Sequence, residues 1–149
     1  MVSTEANVKA PNCYFKGMEL IETYARLGVP VRAKVAIFDW KKSPIPSHIT
    51  DLISNDITHT HFYVEALIDN DWRTLDPSID PKSEKLGFRM VDFKGDENSC
   101  FELSHVFSDH DQAERYLNIT DQEKIIYFQK MKPFLKAFNE WIEAERAKL

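Results

Sequence analysis

Four glycines and two cysteines are all that the 149 residues contain. Two cysteines are no disulfide framework, and a chain kept in a reducing compartment holds them as thiols. So few glycines argue against the many tight turns that an architecture of numerous short strands requires. No run approaches the roughly 18 apolar residues of a membrane span. There is no dense Lys/Arg stripe, and 19 basic residues against 24 acidic ones leave a net charge of −5, so no nucleic-acid partner is expected. The opening Met-Val-Ser-Thr-Glu-Ala-Asn has neither a basic cap nor an apolar stretch, so no secretory signal is read. What is present, 43% hydrophobic and 29% charged residues, suits a globular chain. The expectation is one cytoplasmic domain, residues 1–149, with no membrane partner, no cofactor and an oligomeric state the sequence does not set.

Residues 1–10 read as loose and polar. Tyr14 to Leu27 reads as a helix, with Phe15, Met18, Ile21 and Ala25 at steps of three and four. Asn12 is its N-cap candidate, and Gly28-Val29-Pro30 is its stop signal. Val31 to Trp40 is rich in β-formers and reads as a first strand. A loop at residues 43–47 follows, with Ser47 placed to cap one or two turns through Ile53. Thr58 to Ile68 is the clearest strand, its even positions mostly apolar and its odd positions mostly polar. Asp69-Asn70-Asp71 marks a turn, and Trp72 to Leu75 returns. Leu86 to Phe93 and Cys100 to Val106 are weaker strand candidates around a Gly95–Asn98 turn. Asp109 to Leu117 reads as a short helix. Thr120-Asp-Gln-Glu123 is a capping box opening a last helix, which Pro133 is expected to kink or divide.

The hairpin register can be worked out from the sequence. A two-residue Asp69-Asn70 loop pairs Ile68 with Asp71, so partner numbers sum to 139. Asp76 then faces Tyr63, and His61 lies diagonally from Asp76 on the same face, roughly 7–8 Å away at the backbone. A three-residue loop would put Asp76 on the opposite face.

That register matters because three residues could share one chemistry. Cys13 opens a helix, where the backbone amides stabilise an anion and lower a thiol's pKa. A thiol attacks only as thiolate, an imidazole can take its proton, and a carboxylate can fix that imidazole's tautomer. His61 and Asp76 are the candidates for those roles. Each residue also has a plainer reading: Cys13 as a packing cysteine, His61 as a strand histidine, and Asp76 as the start of the Asp76-Pro77-Ser78 turn. Asn12, Tyr14, Tyr63 and Trp72 are oxyanion or cleft candidates, Asn7 a further upstream donor. Glu65 is open between pairing with a basic residue and supporting the histidine.

Cys13 leads a helix that ends at Gly28-Val29-Pro30-Val31-Arg32, followed by His61-Phe62-Tyr63-Val64-Glu65-Ala66 and Trp72-Arg73-Thr74-Leu75-Asp76-Pro77. These three elements, in this order over residues 11–80, resemble the transglutaminase-like superfamily of papain-like thiol enzymes. The resemblance implies an α+β fold with a papain-like core, in which a Cys-bearing helix packs on an antiparallel sheet and helices follow. It implies Cys13 as nucleophile, His61 as general base and acid, and Asp76 as orienting carboxylate, with no metal. Pro11-Asn12 stands where members often carry Gly-Asp, and Tyr63 where tryptophan is commoner. Lys41 to Thr58 reads as an insertion that could shape the cleft.

The implied reaction is acyl transfer from a peptide or protein amide through a thioester, ended by water or by a second amine. Two other readings stay open. One is an inactive transglutaminase-like interaction module that uses the aromatic stripe of the last helix. The other is a cupin-type metal site at His59, His61 and Glu65, whose alternate spacing puts them on one strand face.

Overall fold

The structure is a computed structural model that describes residues 13–91, 99–107 and 120–149. Helix α1 spans Cys13–Arg26. Its end follows from Gly28, whose φ of 72° lies in the left-handed region that favours glycine. The Val29 N–H then reaches back to the Tyr24 carbonyl and the Gly28 N–H to that of Ala25, each at 3.0 Å, the paired bonds of a Schellman motif. Asn12, Asn7, residues 1–10, the Gly95–Asn98 turn and the Asp109–Leu117 helix lie outside the described residues.

Strand β1 is Val31–Phe38, shorter than expected. Asp39 accepts the Lys41 N–H at 2.9 Å and caps a single 3₁₀ turn at Trp40–Lys42, which removes Trp40 from the strand. The short helix α2, Ser47–Thr50, starts after Pro46, so Ser47 is its first residue and not its cap. Strands β2 (His59–Ile68) and β3 (Asp71–Leu75) form the hairpin. Asp69 and Asn70 take φ of 54° and 62°, the doubly left-handed turn that matches strand twist, and Ile68 pairs with Asp71 as worked out above.

Leu86 to Val91 form no strand. Asp80 instead caps α3, Pro81–Glu84, by accepting the Ser83 N–H at 2.8 Å, and Gly87 at φ 93° turns the chain. Strand β4 is only Leu103–Val106, because the backbone just before it is engaged elsewhere. Helix α4, Asp121–Ala147, opens on the expected capping box and runs on through Pro133 undivided. Met131, Phe134 and Leu135 around the proline are buried, and that packing offsets the lost backbone hydrogen bond. Ile126, placed by its spacing on the apolar stripe, is exposed.

The molecule is mixed α+β. Among the described residues four strands form one antiparallel sheet in the order β3-β2-β1-β4. On the even-numbered face of β2, Phe62, Val64 and Ala66 pack with Val35 and Leu75 beneath Met18, Ile21 and Tyr24 of α1. A second cluster joins Phe38 and Trp40 to Ile45, Ile49 and Ile53 and to Met131, Phe134 and Phe138 of α4. The 41–58 stretch is thus part of the core, tied to α4 also through Asp56 and Lys130. Coverage on both sides buries His59, His61 and Tyr63, so the polar face of β2 is not a solvent face there. No helix among the described residues is long and apolar enough to cross a membrane.

Candidate active site

Cys13 is the first residue of α1 and half-buried. The helix presses close to β2 because its only buried residue is Gly17, one turn on from Cys13. That approach brings the thiol to the imidazole of His61, near the start of β2, and to the backbone N–H of Phe62. Burial alone would raise the thiol pKa. The hydrogen bond with His61, the charge of its ring and the Phe62 N–H outweigh burial and lower it.

His61 is 1% exposed, and its Nε2 lies 2.7 Å from Asp76 Oδ2. The other ring nitrogen, Nδ1, is the one left to face the thiol. Burial works against a charged ring, but the bonds to Asp76 and to Cys13 and their negative charges carry the pKa up to about 9. The ring is fixed on every side. Tyr63 stacks on it at 5.9 Å, and Phe101 and Phe38 meet it edge-on at 4.8 and 5.9 Å.

Asp76 follows directly on β3, 5% exposed. Its Oδ1 accepts from Ser78 through the hydroxyl at 2.6 Å and the N–H at 3.3 Å. Its Oδ2 accepts from Ser99 Oγ at 3.1 Å and from the Cys100 N–H at 3.0 Å, besides His61. Burial opposes the anion, yet the bond from His61, its positive charge and these donors hold the carboxyl well below its usual range. The donors explain why β4 starts late: Cys100 N–H is committed to the carboxylate and Phe101 N–H to Ser99 Oγ at 3.2 Å. Cys100 is no second nucleophile. Its buried thiol donates to the Asp76 carbonyl at 3.3 Å, and its pKa is pushed up to about 12 by burial first.

The structure therefore brings Cys13, His61 and Asp76 together, and adds Ser78, Ser99, Phe101 and the Cys100 amide. Of these only Ser78 left a trace in the sequence, in the Asp-Pro-Ser turn. Tyr63 is at the site; burial pushes its phenol up to about 12, so it stays protonated. Tyr14 is exposed beside Cys13, with its ring edge-on to Phe62 at 5.2 Å. Trp72 is not at the site. It pairs with Leu67, six residues from His61 and so about 20 Å along the strand, and stacks under Arg32 at 4.1 Å. Arg32 also binds Glu65 at 2.6 Å, which settles Glu65 as an ion-pair partner and not a support for the histidine.

The metal grouping is not assembled. His61 is taken up by Asp76, Glu65 by Arg32, and His59 shares a 3.3 Å hydrogen bond through Nδ1 with the Tyr127 hydroxyl. Among the described residues no set of three His, Cys, Asp or Glu side chains could hold an ion. No family model matches the chain, and neither curated proteins nor solved structures give a match.

Proposed function

We propose that this chain is a thiol acyl-transfer enzyme with a papain-like, transglutaminase-like core, acting on peptide or protein amides through Cys13, His61 and Asp76. One observation carries the reading. A helix-initial thiol, a buried imidazole and a buried carboxylate form one hydrogen-bonded line, with His61 Nε2 on Asp76 at 2.7 Å and the thiol on the ring's other side. A lowered thiol pKa beside a raised imidazole pKa favours the thiolate–imidazolium pair at neutral pH.

From that pair the thiolate attacks the amide carbon, forming the C–S bond and moving the carbonyl pair onto oxygen. On collapse the carbonyl re-forms, the C–N bond breaks, and His61 Nδ1–H protonates the leaving amine. Water or a second amine then attacks the thioester carbon, forming a C–O or C–N bond and giving a proton to neutral His61, and the C–S bond breaks to return the thiolate. Asp76 remains an anion throughout. Its four donors besides His61 keep it so, and it holds the ring's tautomer and supports its charge.

The deciding experiment is the rate of iodoacetamide alkylation of Cys13 against pH, in the parent and in His61→Ala. Rapid reaction near pH 6 in the parent, shifted in the variant towards an ordinary thiol's value of about 8.5, supports the reading. An ordinary or inert thiol in both would overturn it and favour an interaction module. Screening amides with and without amine acceptors then separates hydrolysis from transamidation.

A further inference from the structure

The relay leaves one buried polar pair beside it unused. His59 is 5% exposed and shares a face of β2 with His61, two residues and so about 7 Å away. The Phe38 ring touches both imidazoles, at 6.0 and 5.9 Å. Onto His59 packs Tyr127 of α4, ring to ring at 6.2 Å, with its hydroxyl 3.3 Å from Nδ1. The phenol thus stands one side-chain repeat along the strand from the relay imidazole. Burial and then the negative charge of Cys13 push its pKa up to about 12, so it keeps its proton and lies within the field of the sulfur. Burial lowers the His59 pKa against the pull of Asp39, so that ring is neutral. A neutral ring protonated at Nδ1 donates to the phenol oxygen and leaves the Tyr127 O–H free to donate elsewhere.

Resting on the acyl-transfer reading, we infer that Tyr127 is a catalytic residue whose hydroxyl, positioned by His59, donates to the oxyanion formed when Cys13 attacks a carbonyl. The sequence offered Asn12, Tyr14, Tyr63 and Trp72 for that place, but Trp72 is remote and the Tyr14 side chain is exposed. Thiolate attack joins sulfur to the carbonyl carbon and moves the π pair onto oxygen. Tyr127 stabilises that charge by a hydrogen bond without giving up its proton. Collapse restores the carbonyl and expels the leaving group.

The test compares two reactions of the same thiol in the full chain. p-Nitrophenyl acetate acylates Cys13 through an oxyanion and releases p-nitrophenolate. Iodoacetamide alkylates it by displacement at saturated carbon, with no oxyanion. In Tyr127→Phe the p-nitrophenolate burst rate is expected to fall about 100-fold while alkylation at the same pH stays at the parental rate. His59→Ala, which frees the phenol, should reproduce part of that loss with the same split. A parental burst rate in Tyr127→Phe overturns the inference, and so does an equal fall in both reactions, which would make the phenol a packing group. A parent that alkylates rapidly but gives no burst overturns the acyl-transfer reading itself, a result distinct from an unimpaired Tyr127→Phe.

Discussion

Gly17→Ala should separate the helix from the strand that together make the site. A Cβ built on Gly17 meets Phe62 Cε1 at 2.5 Å and Cδ1 at 2.6 Å, where ordinary contact begins at 3.4 Å. Phe62 is buried between α1 and the sheet with Tyr14 against its edge, so its ring has little room to turn. Relief requires α1 and β2 to part by about 1 Å, in a core too dense to absorb it elsewhere. Overpacking of this kind costs about 1–3 kcal/mol, and alanine's better helix propensity returns about 1 kcal/mol. The net expectation is a loss of up to about 2 kcal/mol, read as a lower urea midpoint with an unchanged slope. The larger effect is on chemistry. Cys13 lies one turn before Gly17, so the same 1 Å draws the thiol from His61, and alkylation at pH 7 should slow by at least about tenfold. A variant as stable as the parent, with parental alkylation, would refute the claim that close approach at Gly17 sets the thiol–imidazole geometry.

Three further outcomes are expected. Asp76→Asn leaves a charged or mispaired His61 buried, so it should lose about 3–5 kcal/mol in urea unfolding and return the Cys13 alkylation midpoint towards that of a free thiol. Ser99→Ala removes the acceptor of the Phe101 N–H and one neutral donor from a carboxylate that keeps Ser78, Cys100 and His61, so it should lose about 1–3 kcal/mol while alkylation stays rapid. The pH dependence of stability should change shape in Cys13→Ala. His61 is raised from 6.5 to about 9, so its charged form contributes stability fully below pH 6.5 that is lost as pH rises through 9. In the parent that proton is the one Cys13 gives up, because the thiol pKa is lowered from 9.0. Between the lowered thiol pKa and pH 9, folded and unfolded states then hold equal numbers of protons, and stability should be nearly flat. In Cys13→Ala no thiol proton compensates and Asp76 is the remaining group that raises His61 against burial, so stability should fall as pH rises above 6.5, by up to about 1.4 kcal/mol per unit. Urea unfolding across that window checks both slopes, and a flat profile in the variant would refute the proton exchange.

Short-range rules alone fix the local elements and the hairpin register. Gly28 and the Thr120–Glu123 box mark helix ends through backbone conformation and capping, which need no distant partner. Asp69-Asn70 set a two-residue turn, and with it placed Asp76 on the face of His61, because strand side chains alternate with period two. Cys13, His61 and Asp76 were legible for the same reason: each sits at an element boundary or on a face that short-range rules define.

What surrounds those residues depends on contacts made across the folded chain. The alternating pattern of β2 set polar residues on one face, but α4 and the 41–58 stretch pack near it, and no period along β2 announces a neighbour 68 residues away. Trp72 was grouped with the site by residue type, although partner sums of 139 already set it against Leu67, six residues from His61. Ser99 and the Cys100 amide were invisible, since a strand-like stretch does not reveal that a buried carboxylate claims its first N–H. Tyr127 was equally hidden, one aromatic among many until α4 laid it on His59. Periodicity and capping act within a few residues, whereas burial and the electrostatics it strengthens depend on elements that meet only in the folded chain.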